Sequence, residues 1–336
     1  MIDEDITRAE TLPASFYRDP AVFERARERL FARSWQLIDG AERAAGPGSV
    51  LPFALLEGCV DEPLLITRDA GGALHGLSNV CTHRGNILCT QPNHVQNLRC
   101  RYHGRRFSLD GKFLSMPEFE GVRNFPTPAD DLPKIALEPL GPLLFAAIHP
   151  AFPFAELVAP VRERIAFLDQ LSFDPEGSRS YDVNANWALY CDNYLEGFHV
   201  PYVHAALAKA IDYGTYRTEL FAWSSLQVAQ DAADLSKTAA HYFFLFPNTM
   251  LNFYPWGLSI NVVVPLAVDR TRVLYRSWVL DQARRGDLDL VEREDEEIVE
   301  EVQRGVRSRL YQRGRYSPSR EKGVHHFHRL LARFLE

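Results

Sequence analysis

The chain has 336 residues, of which 46% are hydrophobic and 24% charged, and its formal net charge is −7. This composition is that of an ordinary globular protein long enough for two domains, and the negative charge argues against a nucleic-acid partner. No apolar run reaches the roughly eighteen residues of a membrane span, and the acidic first residues lack the order of a signal peptide. The sequence therefore predicts a soluble, cytoplasmic protein with no membrane partner.

The N-terminal segment predicts a helix and the segment after it predicts strands. Asp19 is a suitable N-cap, Pro20 suits the first helical position, and apolar residues then recur at helical spacing. From about residue 37 to 150 the sequence is strand-like and punctuated by glycine, and Asp110-Gly111 predicts a hairpin. The first domain is thus expected to be all-β.

Within this β region, two short segments each place one cysteine close to one histidine. They are Cys81-x-His83 and, sixteen residues further on, Cys100-x-x-His103. Zinc loops usually pair two cysteines on one knuckle, whereas one cysteine and one histidine from each loop suit a [2Fe–2S] cluster with two histidine ligands. Glycines follow both histidines, where the chain must turn closely around an inorganic core.

A respiratory electron carrier is the first alternative function for such a cluster. Those proteins add a cysteine to each loop and form a disulfide beside the cluster, but Cys89 has no partner in the second loop. Cys59, Cys89 and Cys191 show no pairing pattern and are expected to be reduced structural thiols.

A proline-rich segment, HPAFPFAELVAP, marks the expected boundary of a second, α+β domain. Helices are predicted near residues 155–170, 186–199 and 290–312 and at the C-terminus, with strands such as LSINVVVPL and TRVLYRSWVL between them. The expected domains are therefore 37–150, and 1–36 together with 151–336.

The helix predicted over 186–199 carries a second group of ligand-type residues. On one helix, Asp192, Glu196 and His199 share a face, and Pro201 ends the helix so that His204 folds back towards His199. Two converging imidazoles suit a mononuclear metal, with Asp192 and Glu196 as candidate catalytic acids. A pair of helix-end histidines among surface carboxylates is the alternative interpretation.

Ferrous iron held by two histidines requires one carboxylate, and the helix predicted over 290–312 offers Asp295. Asp295 falls at the centre of an apolar stripe, while Glu292 and Glu297 are expected to fall off it. A di-iron bundle is excluded because only one Glu-x-x-His motif occurs. The apolar stripe is formed by Ile298, Val299, Val302, Val306 and Leu310.

An aromatic run in LFPNTMLNFYPWG is the candidate lining of a substrate pocket. It could form a cage for a quaternary ammonium through cation–π contact, although such a run on a strand is more often plain core, and an aromatic substrate would use similar side chains. The run consists of Phe246, Phe253, Tyr254 and Trp256.

Taken together, the chain resembles the α subunit of Rieske-type non-haem iron oxygenases. CDNYLEGFHVPYVH, DYGTYRTEL and VQRGVRSRLYQRGRYSPSREKGVHHFH look most like the quaternary-amine branch, which includes choline monooxygenase. The resemblance implies an all-β Rieske domain, and a helix-grip (START/Bet v1-like) catalytic domain with an antiparallel sheet and flanking helices. It also implies that His199, His204 and Asp295 bind iron.

The resemblance further implies an oxygenase that uses O2 and electrons from NAD(P)H, delivered by a flavin/iron–sulfur reductase or a ferredoxin. A homotrimer brings one subunit's cluster beside the next subunit's iron, with Glu196 bridging histidines of the two. Hydroxylation or oxidative demethylation of a small quaternary amine is expected. Aromatic-ring mono- or dioxygenation, a Rieske electron-transfer protein and a hydrophobic-ligand binder are the alternatives.

Overall fold

The computed structural model describes residues 2–281 and 288–335, and the chain divides into two compact units. One unit comprises residues 32–151, and the other comprises residues 1–31 together with 152–336. The helices in the described part of the chain are too short or too polar to cross a membrane.

The unit formed by residues 32–151 is built almost entirely from strands. Within it, strand pairing gives an antiparallel sheet in the order β1-β10-β9-β4-β3-β2-β5 and a smaller one in the order β6-β7-β8. The strands are β1 (Gln36–Leu37), β2 (Ser49–Leu55), β3 (Glu62–Arg68), β4 (Leu74–Ser78), β5 (Asn93–His94), β6 (Leu98–Arg99), β7 (Arg106–Phe107), β8 (Phe113–Ser115), β9 (Lys134–Leu140) and β10 (Leu143–Ala147).

The two Cys/His segments are loops at the ends of these strands. The first follows β4, and the second connects β6 to β7. The Asp110-Gly111 hairpin between β7 and β8 is confirmed, and Gly111 has the positive φ of +88° that such a turn requires.

The other unit combines short helices with a long antiparallel sheet. The predicted N-terminal cap is confirmed, because the Asp19 side chain accepts a hydrogen bond from the Ala21 amide at 2.8 Å. The helices are α1 (Pro20–Arg29), α2 (Phe154–Arg164), α3 (Trp187–Tyr194), α4 (Val200–Val203), α5 (Leu207–Ala210), α6 (Asp289–Val306) and α7 (Lys322–Leu335).

The sheet of this unit runs β11-β17-β16-β15-β14-β13-β12, with all neighbouring strands antiparallel. Helix α3 packs against β16 and against α6, and α7 packs against β12. An antiparallel sheet with flanking helices is the architecture predicted for this domain. The strands are β11 (Ser172–Val183), β12 (Ile211–Leu220), β13 (Ser224–Asp231), β14 (Thr238–Leu245), β15 (Thr249–Tyr254), β16 (Gly257–Ala267) and β17 (Arg270–Val279).

Two helix predictions in this unit were wrong in their limits. Helix α3 stops at Tyr194 rather than near residue 200, and Pro201 lies in the first turn of the short helix α4 instead of ending a long one. Helix α6 stops at Val306, so Leu310 lies beyond it and is 95% exposed. The buried face of α6 includes Glu292, although the apolar stripe predicted that Glu292 would lie off that face.

Candidate active site

The two Cys/His loops of the β unit share one backbone geometry. The Cys81 amide donates to the Asn86 carbonyl at 2.9 Å, and the Gly85 amide donates to the Cys81 carbonyl at 3.0 Å. In the second loop, the Cys100 and Gly104 amides make the equivalent bonds at 2.8 Å and 3.0 Å. Both glycines have positive φ, +69° and +77°, which explains the residue type at these turns.

The side chains of the two loops converge as a metal cluster requires. The Cys81 and Cys100 thiols lie within one buried apolar cluster, and the His83 and His103 Nδ1 atoms are 3.2 Å apart. Burial, followed by the neighbouring His103 imidazole, lowers the pKa of His83, and this favours the neutral form that binds metal. The donor set therefore fits a [2Fe–2S] cluster with two thiolates and two imidazoles.

A buried ion pair, missed in the sequence, ties the two loops together. Arg105, which is 2% exposed, donates to the Asp130 carboxylate at 2.7 Å and to its carbonyl at 3.1 Å. The Thr82 hydroxyl of the first loop donates to the same carbonyl at 2.8 Å. The hydrogen bond from Arg105 lowers the pKa of Asp130, so the carboxylate is ionised at neutral pH. Asp130 thus holds both loops in one arrangement.

Replacing Asp130 by alanine is expected to destabilise the β unit by about 3 kcal/mol, because the buried Arg105 guanidinium loses its counter-charge. Chemical denaturation measures the effect, with the loss of cluster absorbance as the signal for unfolding. Asp131→Ala is the control, since Asp131 pairs with Lys112, whose side chain is 60% exposed. Equal destabilisation of the two variants would show that the buried ion pair contributes no more to stability than the exposed one.

The second ligand group forms where α3 ends. His199, His204 and Asp295 each offer one ligand atom, and these atoms lie within 4.8 Å of one another. Asp295 Oδ1 is 3.5 Å from His199 Nε2 and 3.0 Å from His204 Nε2. Two imidazoles and one carboxylate at this spacing fit a single ferrous ion with open coordination positions. We call these three residues the ligand triad.

Each histidine of the triad is oriented by a second carboxylate on its other nitrogen. His199 Nδ1 contacts Glu196 at 2.7 Å, and His204 Nδ1 contacts Glu294 at 2.7 Å. Such pairs fix the ring and its tautomer, leaving Nε2 of each ring for the metal. Burial lowers the pKa of His204, but the hydrogen bonds to Asp295 and Glu294 outweigh it and the pKa is raised overall. The sequence did not predict that Glu294 contacts His204, because no pattern marks Glu294 apart from its position next to Asp295.

The turn between α3 and α4 carries Glu196 and explains its position. Its carboxylate accepts hydrogen bonds from the backbone amides of Phe198 and His199, which locks the turn. Gly197 fits there because an added Cβ would come within 2.6 Å of the Tyr216 ring. The glycine therefore lets the turn lie flat against Tyr216.

Asp192 lies elsewhere, so its predicted place on a common face with Glu196 and His199 was wrong. Because the helix ends at Tyr194, the three residues do not share one helical surface. Instead, Asp192 accepts a hydrogen bond from the Tyr17 hydroxyl at 2.8 Å and contacts His328 Nε2 at 2.8 Å. These contacts give Asp192 a part in a polar network with α7 and the N-terminal segment.

A cavity with an empty volume of ≈ 720 Å³, its opening included, adjoins the ligand triad. His199, His204 and Asp295 line it, and so do side chains of α3, the sheet and α6. Its aromatic lining consists of Tyr190, Tyr194, Tyr216, Tyr242 and Tyr254.

Of the four aromatic residues predicted for the pocket, Tyr254 lines the cavity and the other three do not. Successive side chains of a strand point to opposite faces, so Asn252 and Tyr254 of β15 face the cavity while Phe253 packs against Phe243 and Phe167. Phe246 is 1% exposed in an aromatic core, and Trp256 stacks on Tyr254 from outside the lining.

Family models match both units. The Rieske [2Fe-2S] domain model matches residues 52–126, and the model of the ring hydroxylating alpha subunit (catalytic domain) matches residues 171–336. Chloroplastic choline monooxygenase of Arabidopsis thaliana is 32% identical, over 97% of this chain and 83% of its own length. The carnitine monooxygenase oxygenase subunit of Escherichia coli (strain K12) is 28% identical, over 96% of this chain and 93% of its own.

Solved structures show the same fold. The quaternary ammonium Rieske monooxygenase CntA in complex with an inhibitor superposes with a TM-score of 0.81 at 24% identity, covering 98% of this chain and 96% of that one. Naphthalene 1,2-dioxygenase from Rhodococcus sp. gives 0.73 at 17% identity, covering 97% and 94%.

The fold and the two ligand groups define a Rieske non-haem iron oxygenase. The chain belongs to this family, in which a Rieske domain and a ring-hydroxylating catalytic domain are joined in one α subunit. It is a terminal oxygenase that carries a [2Fe–2S] cluster and mononuclear iron and uses O2 with electrons supplied by a reductase. The fold, the enzyme class and the cofactors predicted from the sequence are thereby confirmed.

Proposed function

We propose that this oxygenase hydroxylates, or thereby demethylates, a small quaternary ammonium compound bound in the cavity beside the ligand triad. The observation that carries the proposal is the lining, in which five tyrosines surround a space adjoining His199, His204 and Asp295. Tyrosine faces attract a desolvated cation that has no hydrogen to donate. The relatives named for choline and carnitine oxidation support the same substrate class.

The geometry described above supports the ligand roles that we propose. We assign the cluster to Cys81, His83, Cys100 and His103, and the mononuclear iron to the ligand triad. The iron would supply a site where O2 is reduced next to the bound substrate. Glu196 and Glu294 hold the imidazoles in place, and the tyrosines position the substrate and exclude water. The reaction balances as substrate C–H, O2, two electrons and two protons giving substrate C–OH and water.

The electron supply and assembly belong to the same proposal. We infer that NAD(P)H is the electron source and that a flavin/iron–sulfur reductase or a ferredoxin delivers the electrons. Within a cytoplasmic homotrimer, Glu196 links the triad's His199 to a cluster histidine of the neighbouring subunit. The solved structure of a quaternary ammonium Rieske monooxygenase gives insights into inter-subunit electron transfer in that relative, and this is consistent with the proposed arrangement.

Oxygen uptake tests the proposed substrate class. Protein with both metal sites filled, a reductase and NADH should consume O2 faster with choline or carnitine than without substrate, and formaldehyde or an aldehyde should form in proportion. Naphthalene and benzoate serve as comparison substrates. Coupled turnover of the aromatic compounds alone would establish ring hydroxylation and overturn the proposal.

A further inference from the structure

A buried carboxylate faces the cavity without belonging to the ligand triad. Glu292 lies in the first turn of α6, is 8% exposed and lines the cavity. Its hydrogen bonds come from the Tyr190 hydroxyl and the Asn261 side-chain amide, both at 2.7 Å and both to Oε2. In residues 2–281 and 288–335, no hydrogen bond to Oε1 is found. Oε1 therefore has no hydrogen-bond partner among the described residues, and Glu292 is one of the residues that line the cavity.

The surrounding polar groups direct their donors towards Glu292. The Tyr194 hydroxyl donates to Asn252 at 2.7 Å, Asn252 donates to Asn261 at 3.0 Å, and Asn261 donates to Glu292. A series of donors that ends on a carboxylate stabilises its negative charge, and the nearby N-terminus of α6 acts in the same direction. The network is arranged around an acceptor.

A neutral residue would serve this network equally well. A glutamine at position 292 could accept from both Tyr190 and Asn261, so the hydrogen bonds alone do not require a charge. Burial raises the pKa of Glu292 to about 8, so the cavity by itself favours the neutral acid, and a cation bound beside it would favour the ionised carboxylate. A cation in the cavity would supply the missing partner, and the described residues that line it include no lysine or arginine.

We propose that Glu292 is the counter-ion of the substrate's cationic group and so determines that the cavity selects a cation over a neutral molecule of the same shape. This inference rests on the proposed function and adds to it a single residue for charge recognition. The tyrosines provide the shape and the polarisable walls, whereas Oε1 of Glu292 provides the opposite charge.

A pair of isosteric ligands separates charge from shape. Choline and 3,3-dimethylbutan-1-ol differ only in having nitrogen or carbon at the branched centre. Their affinities for the metal-loaded protein, without reductant, are measured by calorimetry in the wild type and in Glu292→Gln. We expect the substitution to weaken choline binding at least about tenfold and to leave the alcohol within about twofold. Glu292→Asp should keep the preference for choline, because it keeps the charge.

The control variant is Glu297→Gln, which makes the same isosteric change at an exposed position of α6 and should alter neither affinity. Iron content and thermal unfolding are recorded for every variant. Equal weakening of both ligands, loss of iron, or unchanged choline binding in Glu292→Gln would each overturn the role of Glu292 while leaving the substrate class intact. A wild-type protein that binds choline no better than the alcohol would overturn both proposals.

Discussion

Asp295→Ala should lose its mononuclear iron and at least about a thousandfold of its turnover, because several kcal/mol of metal-dependent stabilisation disappears with the ion. Asp295 Oδ1 is the atom that faces Nε2 of both His199 and His204. Without it, two imidazoles remain and the charge of the ferrous ion is not balanced by a ligand. The spectrum of the Rieske cluster should be unchanged, since the ligands proposed for it belong to the other unit.

Metal analysis and electron paramagnetic resonance measure this outcome directly. Glu297→Ala on the same helix is the control and should retain both iron signals. Glu294→Ala should weaken iron binding by about tenfold to a hundredfold rather than abolish it, because Glu294 orients His204 and does not face the ligand atoms. Iron retained in Asp295→Ala but lost in Glu294→Ala would transfer the ligand role to Glu294.

Glu196→Gln should keep both iron signals and the proposed trimer but slow the oxidation of the cluster, in a single turnover with substrate and O2, by about a hundredfold or more. The variant keeps one acceptor oxygen, which can accept from His199 Nδ1 in place of Oε1, while its NH2 group replaces the Oε2 that accepts from the turn amides. The variant loses the negative charge that strengthens the hydrogen bond to the His199 imidazole. We propose that the same charge links Glu196 to the neighbouring subunit. Rapid-mixing spectroscopy of the cluster absorbance follows the step.

Glu294→Gln is a matched control for this experiment. It removes the same kind of charge from the other histidine of the triad, His204, through a contact of the same 2.7 Å length. With iron supplied in excess, its cluster should be oxidised at nearly the wild-type rate. Similar slowing in the two variants would mean that carboxylate–imidazole pairing in general, and not a path through Glu196, sets the rate.

The sequence predicted the ligand groups better than their surroundings. Cys81, His83, Cys100 and His103 are close together in the chain, so local spacing is enough to predict that they meet. Asp295 could be selected only by its helical register, and the structure brings it to His199 and His204. The end of α3 was misplaced because local spacing does not show that the helix stops at Tyr194 and that the turn after it packs closely against Tyr216.

The burial of Glu292 and the tyrosine lining could not be predicted in the same way. Periodicity identifies the buried face of a helix by its apolar residues, and a buried glutamate is read as exposed by that criterion. Tyr190 and Tyr194 are four residues apart, a weak sign of a shared face. Tyr216, Tyr242 and Tyr254 come from separate strands, and only the sheet register brings them to one cavity.

The close packing of Gly197 against the Tyr216 ring sets a limit on redesigning this enzyme for larger molecules. Tyr216 is part of the cavity wall, and Gly197 lies in the turn between Glu196 and His199 of the ligand triad. Because nothing separates the glycine from the ring, enlarging the wall by shortening Tyr216 removes the support beneath that turn. Changes of substrate range made at Tyr216 will therefore alter the iron site as well, whereas changes at Tyr242 or Tyr254 on the sheet leave the turn supported.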